Sequence, residues 1–233
     1  MELTTYELTD GTAVIRMDDG KANALGHAMI DSLGAALDRA EREAKAVVLT
    51  GRVGRFCAGF DLRTMMTGVD AARALVAHGG ELLLRLYGLP LPLVVACGGH
   101  ALAGGALVVL TGDLRVGARG AYRIGLNEVQ IGMPVPILAM ELARDRLEPR
   151  ELTAATLFAK VVDPDEAARI GWLDELADEA ALLPRALAHA SRLATLARDA
   201  FAKTKQSLRG RTIRYVRDTL VEDMARLTPP VGP

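Results

Sequence analysis

The chain has 233 residues, enough for a main domain with a sizeable core, and half of them are apolar against a quarter charged. Its 28 Lys and Arg offset 29 Asp and Glu to a formal net charge of -1, so no basic field exists to draw nucleic acid or an anionic membrane surface. Cys57 and Cys97 stand in apolar settings, and neither they nor the scattered His27, His78, His100 and His189 have metal-ligand spacing, which fits reduced, buried thiols in a cytoplasmic chain without a metal.

Residues 2–9 and 12–17 alternate polar with apolar around Asp10-Gly11, a hairpin signal. The segment begins with an acid and has neither a basic nor an apolar leader region, so no targeting signal is expected. Residues 27–44 place Met29, Ile30, Leu33, Ala36 and Leu37 at helical spacing, and "KAVVLTG" (45–51) reads as a buried strand. The cadence returns with a helix over about 70–87, the strand "LPLVVACGG" (91–99), a helix opening at "AGGALVVL" and the strand "DLRVGA". The apolar run 93–110 approaches membrane-spanning length, but four glycines and His100 interrupt it, so it reads as core.

Repeated strand-helix units predict a layered α/β fold with crossover connections. From about residue 134 almost everything reads as helix: "DPDEAARI" (163–170), 183–197, 198–209 and 213–227, with a frayed "TPPVGP" at the end. No linker, internal repeat or low-complexity segment divides the chain. A core over residues 1–190 with a helical extension over 191–233 is expected.

Two glycine-rich corners follow strands. In "GRVGRFCAGFDL" (51–62), Gly59 permits a tight turn that leaves the N–H groups of Phe60 and Asp61 pointing outward. In "GGHALAGGALVVL" (98–110), Gly104 and Gly105 open a helix with free N–H groups. Each alone is an ordinary packing device. Together, two fixed amides at strand ends are what a site for a developing oxyanion requires.

"FCAGFDL", then "GHALAGGA", "DLRVGARG" and "RIGLNEVQIGMPVP" in that order resemble the crotonase superfamily, the enoyl-CoA hydratase and isomerase family, over residues 1 to about 227. The resemblance implies a spiral of ββα turns with a C-terminal helical trimerisation region, assembly as a homotrimer or hexamer, and acyl-CoA thioesters as substrates. Coenzyme A then arrives on the substrate and no separate cofactor is expected. It further implies that Phe60 and Gly104 give the two oxyanion donors. Lys21, Ala22, Asn23, Ala24 and Leu25, with Ala58, match segments that embrace coenzyme A. Phe201 and Lys205 resemble residues that touch it, often from the adjacent subunit, with Lys203 nearly as good a match. Asp61, close to the first donor, and Leu107 are also placed among the substrate-contacting positions, although Asp61 reads best as a helix N-terminal carboxylate. His100 is expected to be a buried, hydrogen-bonded imidazole, Asp113 and Arg115 structural, and Tyr122 and Trp172 core or interface residues.

The family's hydratases use two glutamates. The first corresponds here to Leu107 and the second to Glu128. Hydration needs one group to activate water and one to manage the α proton, so Leu107 removes half of that equipment. Moving a double bond from position 3 to position 2 needs one base to carry a proton from the α to the γ carbon. The stretch "RIGLNEVQIG" also resembles Δ3,Δ2-enoyl-CoA isomerases, whose base is the glutamate after "GLN". A glutamate ordinarily titrates near about 4.3, and burial among Ile124, Leu126, Val129 and Ile131 would raise it. An isomerase is expected. The alternatives are a hydratase or another crotonase-type enzyme with altered acid-base residues, and a non-catalytic acyl-CoA binder.

Overall fold

The computed structural model describes residues 2–228; residues 229–233, most of the segment expected to fray, lie outside the described part. Thr4–Thr9 (β1) and Thr12–Met17 (β2) form the antiparallel hairpin, its turn carried by Asp10 and Gly11 at φ of 50° and 78°. An Asp-Gly pair adopts that left-handed turn at little cost. His27–Glu43 (α1) follows and buries the expected stripe, with Ala40 added to it.

Three similar passages come next. Ala46–Thr50 (β3) leads to the short Gly54–Cys57 (β4), then to helices Leu62–Met65 (α2) and Val69–Tyr87 (α3). Leu93–Cys97 (β5) leads to Gly99–Leu102 (β6) and to Gly104–Thr111 (α4). Leu114–Ala118 (β7) leads to Ile124–Gly125 (β8), a single 3-10 turn over Val129–Ile131, and Ile137–Arg146 (α5). The remainder is a 3-10 turn over Pro149–Glu151, Leu152–Thr156 (α6), Pro164–Ile170 (α7), Glu175–Ala177 (β9), Glu179–Leu193 (α8) and Arg198–Arg226 (α9).

Each passage lays its first strand in one sheet and its second in another. The larger sheet runs β1-β2-β3-β5-β7-β9 and is parallel beyond the hairpin; the smaller runs β4-β6-β8 and is wholly parallel. This is a ββα spiral. The sequence reading of a nearly all-helical tail is corrected by β9, which completes the larger sheet beside β7. The helices expected over 198–209 and 213–227 are one 29-residue helix that continues through Gly210.

Both faces of the larger sheet are covered, which is why β3 and β5 read as unbroken apolar runs. Val47, Leu49, Leu93, Val95 and Cys97 face the main core, while Val48, Val94, Ala96, Val116 and Ala118 pack on Leu182, Ala186 and Ala190 of α8. Helix α9 is pinned by a buried ionic cluster. Asp113 accepts from Lys205 Nζ at 2.7 Å and Arg209 Nη2 at 3.0 Å, and also from the Leu93 N–H at 2.8 Å. Arg209 donates to the Tyr87 carbonyl at 2.8 Å and lies over the Tyr87 ring. Among the described residues, no helix is long and apolar enough to cross a membrane.

Candidate active site

The three strands of the small sheet are parallel, so their C-terminal ends lie together, with Cys57 beside Ala101 and Leu102 beside Gly125. Phe60 follows β4, Gly104 follows β6 and Glu128 follows β8. Loops leaving the C-terminal ends of parallel strands are where an α/β sheet gathers chemistry from distant parts of the chain.

At the first corner, Leu25 forms a parallel bridge with Phe60: its N–H donates to the Gly59 carbonyl at 2.8 Å and its carbonyl accepts from the Asp61 N–H at 3.3 Å. A residue flanked in this way turns its own N–H to the opposite side. The Phe60 N–H finds no acceptor among the described residues. Gly59 makes the approach feasible, at φ 94°, where an added Cβ would stand 2.9 Å from the Leu102 carbonyl oxygen and 3.1 Å from the Gly104 nitrogen. The two corners therefore touch through backbone.

At the second corner, Ala103 takes φ 48° immediately before α4, a conformation that non-glycine residues adopt only under constraint. The Gly125 carbonyl, 3.0 Å from the Ala103 N–H, supplies part of that constraint. As the first residue of α4, Gly104 has no carbonyl a turn earlier to accept its N–H. Gly105 presses on the first corner, since a Cβ there would sit 2.0 Å from the Cys57 carbonyl oxygen. Gly105→Ala is expected to destabilise the chain by about 1–3 kcal/mol. A thermal melt should show a Tm lower by roughly 4–10 °C; an unchanged Tm would contradict this contact.

Glu128 is 5% exposed and opens the 3-10 turn, where its carbonyl accepts from the N–H groups of Ile131 at 3.0 Å and Met133 at 2.9 Å. Those bonds fix the backbone and leave the side chain to its surroundings. Its Oε2 is buried without a hydrogen-bond partner among the described residues. Burial raises the carboxyl to about 7, offset slightly by its own backbone N–H. Ile124 and Leu126, as expected, are fully buried nearby, whereas Val129 is 44% exposed and does not enclose it. Leu107 is buried on α4, a helix with no ionisable side chain. The carboxylate faces no second acid from that helix.

The segment expected to embrace a ligand divides in two. Asn23, at φ 53° and fully buried, is a clamp: its Nδ2 donates to the carbonyls of Met17, Arg55 and Phe56, each at 3.1 Å, and its Oδ1 accepts from the Asp19 N–H. Leu25 is buried as well, Lys21 is exposed, and Ala22 and Ala24 are half-buried. The Ala58 N–H donates to the Ala22 carbonyl at 3.0 Å, tying the loop to the first corner. Ala22 and Ala58, with Arg55, His100, Leu102 and Arg123, line a cavity of about 310 Å³ beside the site.

Asp61 caps α2, accepting from the Arg63 N–H at 3.2 Å and from Thr64 Oγ1 at 2.8 Å. His100 is half-buried rather than buried and accepts from the Arg123 N–H at 3.1 Å; burial and the nearby Arg55 and Arg123 lower its pKa. Asp113 and Arg115 are structural, the latter paired with Asp174, and Trp172 is fully buried.

Within its own chain, Lys205 is turned to the other end of the sheet. It is 5% exposed on α9, with its amine, lowered to about 8 by burial, held by Asp113 and by the Leu91 carbonyl at 3.1 Å. Phe201 lies one turn earlier with its ring near that amine. Both stand by the N-terminal ends of β5 and β7, away from the strand ends that carry Phe60, Gly104 and Glu128. Lys203 lines a separate open groove between α1, α3 and α9. The arginines of the 310 Å³ cavity had no sequence signal, because Arg55 and Arg123 are brought together only by the pairing of β4, β6 and β8.

Residues 7–225 match the family model described as enoyl-CoA hydratase/isomerase. A probable enoyl-CoA hydratase of Rhodobacter capsulatus is 35% identical over 210 residues, covering 87% of this chain and 79% of the relative. The mitochondrial enoyl-CoA delta isomerase 1 of Homo sapiens is 32% identical over 212 residues, covering 87% and 68%. A solved structure from Mycobacterium tuberculosis, described once as an enoyl-CoA isomerase and once as a probable enoyl-CoA hydratase, superposes with a TM-score of 0.92 at 40% identity, covering 96% of this chain and 98% of that one. With the matching fold and the two touching corners, these likenesses place the chain in the enoyl-CoA hydratase/isomerase family.

Proposed function

We propose that this acyl-CoA enzyme converts 3-enoyl-CoA to 2-enoyl-CoA, with Glu128 as its only acid-base residue. The observation that carries the reading is a buried, unpartnered carboxylate following β8, in the same small sheet whose β4 and β6 lead to two free backbone amides, with Leu107 where a second acid would be needed for hydration. The Phe60 and Gly104 N–H groups hold the thioester oxygen. As Glu128 takes the α proton, negative charge moves onto that oxygen, and the conjugate acid then returns the proton to the γ carbon. Coenzyme A lies over Ala22 and Ala58 with its phosphates near Arg55 and Arg123, since guanidinium groups pair well with phosphate oxygens. It comes with the substrate, and no further cofactor takes part. The exposed Leu208 and Val221 of α9 serve assembly into a trimer or hexamer.

Purified protein given 3-enoyl-CoA should form the conjugated thioester, read by its absorbance, while 2-enoyl-CoA in a parallel cuvette should not be hydrated. Hydration without isomerisation would support the reading suggested by the relatives named hydratase. Binding without turnover of either substrate would indicate an acyl-CoA binder.

A base must be ionised to act, so the carboxyl near 7 sets the pH profile. kcat/KM is expected to rise about tenfold per pH unit up to about pH 7 and then level off. A profile flat between pH 5 and 8 would exclude Glu128 as the base.

A further inference from the structure

We infer that Gly79, on α3, is a positioning residue for the oxyanion site: it leaves the slot in which the Phe60 ring seats, and the seated ring holds the Phe60 N–H in register with that of Gly104. The inference rests on the proposed reading of those two amides as donors to the thioester oxygen.

The geometry is specific. A Cβ on Gly79 would lie 2.2 Å from Cε1 and 2.8 Å from Cζ of Phe60, closer than any side chain tolerates. A Cβ on Gly104 would lie 3.1 Å and 3.2 Å from Cδ2 and Cε2, the opposite edge of the same ring. The ring thus bridges two helices, with one glycine against each edge. Glycine is among the least favourable residues inside a helix, and Gly79 is buried in the middle of a 19-residue one. Its neighbour Gly80 has no such reason, because a Cβ there would meet only Leu138 Cδ2 at an ordinary 3.7 Å.

The backbone links the ring to the donor. The peptide groups either side of Phe60 are bonded to Leu25, and the donor N–H belongs to the first of them, so a ring driven from its seat strains that anchored peptide through the Phe60 Cα. A methyl group at position 79 must displace the ring from this seat, since 2.2 Å and 2.8 Å are too close for the two to coexist. The first donor is then displaced from its partner, and preorganised donors lose their effect when misaimed.

The test is a mutant cycle on the full chain. Gly79→Ala should lower kcat by roughly one to two orders of magnitude, short of losing a donor outright, with KM changed less than about threefold, the pattern of an interaction made mainly in the transition state. Gly80→Ala should leave both parameters unchanged. Phe60→Ala should lower kcat by about tenfold through loss of seating, and in that background Gly79→Ala should do no further harm, the non-additivity expected of groups in contact. A loss from Gly79→Ala of equal size in both backgrounds, or none in wild type, would overturn the inference.

A second readout does not depend on which reaction the enzyme runs. Infrared difference spectra of bound, unreactive butanoyl-CoA should show the thioester carbonyl shifted down in wild type and less so in Gly79→Ala. Absence of isomerase activity in wild type with this carbonyl pattern intact would sink the proposed reaction and keep the slot; an unaltered shift in Gly79→Ala would sink the slot alone.

Discussion

Glu128→Gln is expected to lower isomerisation by roughly four orders of magnitude, the upper range for removing an acid-base group. No second acid on α4 can substitute for it. Binding of a 3-enoyl-CoA, measured by calorimetry, should change less than about threefold, because the proposed mode assigns the phosphates and the thioester oxygen to other groups. Stability should move the opposite way. The folded-state carboxyl sits near 7 against an ordinary 4.5, so burial favours its protonated form. A group raised in this way leaves stability intact below about pH 4.5 and lowers it as pH rises through 7. Above pH 7 the wild type forgoes roughly 3 kcal/mol, taking about 1.4 kcal/mol per unit. Glu128→Gln should therefore melt higher than wild type at pH 8 and about equally at pH 4.5. Equal melting at both would mean that the carboxylate is not buried as described. A residue that weakens the fold and is required for turnover is a catalytic group held at the expense of stability.

The second large effect concerns α9. Asp113→Ala leaves the Lys205 and Arg209 cations, 5% and 4% exposed, without their shared counter-charge. Removing one partner from such a buried cluster costs about 3–5 kcal/mol, because an unpaired charge stays in a low dielectric. Tm should fall by roughly 10 °C or more. The exposed pair Arg39 and Glu43 provides the contrast, since Glu43→Gln should shift stability by less than about 0.5 kcal/mol. Equal small effects from the two variants would mean that α9 is held by apolar packing alone. In the same cluster the Lys205 ammonium is the strut that joins α9 to the start of β5.

The strands of the larger sheet were legible because both of their faces are buried, which produces apolar runs such as "AVVLT" and "LVVAC". The small sheet was not, because its strands are only two to four residues long and rich in glycine, too short for any periodicity. Its presence is what gives the site its shape, since it sets Phe60, Gly104 and Glu128 at adjacent strand ends. Helix α9 was read as two segments because Gly210 and the charged stretch around it break the apolar pattern, yet Arg209 is buried by pairing rather than by hydrophobicity. Glu128 was legible through its apolar neighbours, of which Ile124 and Leu126 are buried as read while Val129 turns outward. Gly79 carried no signal at all, because its reason is the Phe60 ring on another element.

The central claim is that one carboxylate carries a proton between two carbons of the same substrate. A 3-enoyl-CoA bearing deuterium at the α carbon tests it directly, with the product analysed by mass spectrometry at the first few per cent of conversion. A single buried acid with no partner exchanges slowly with water, so part of the deuterium should appear at the γ carbon in wild type, and Glu128→Gln should give no product. Product carrying only solvent protons at the γ carbon from the first turnover, or conversion that persists in Glu128→Gln, would contradict the account.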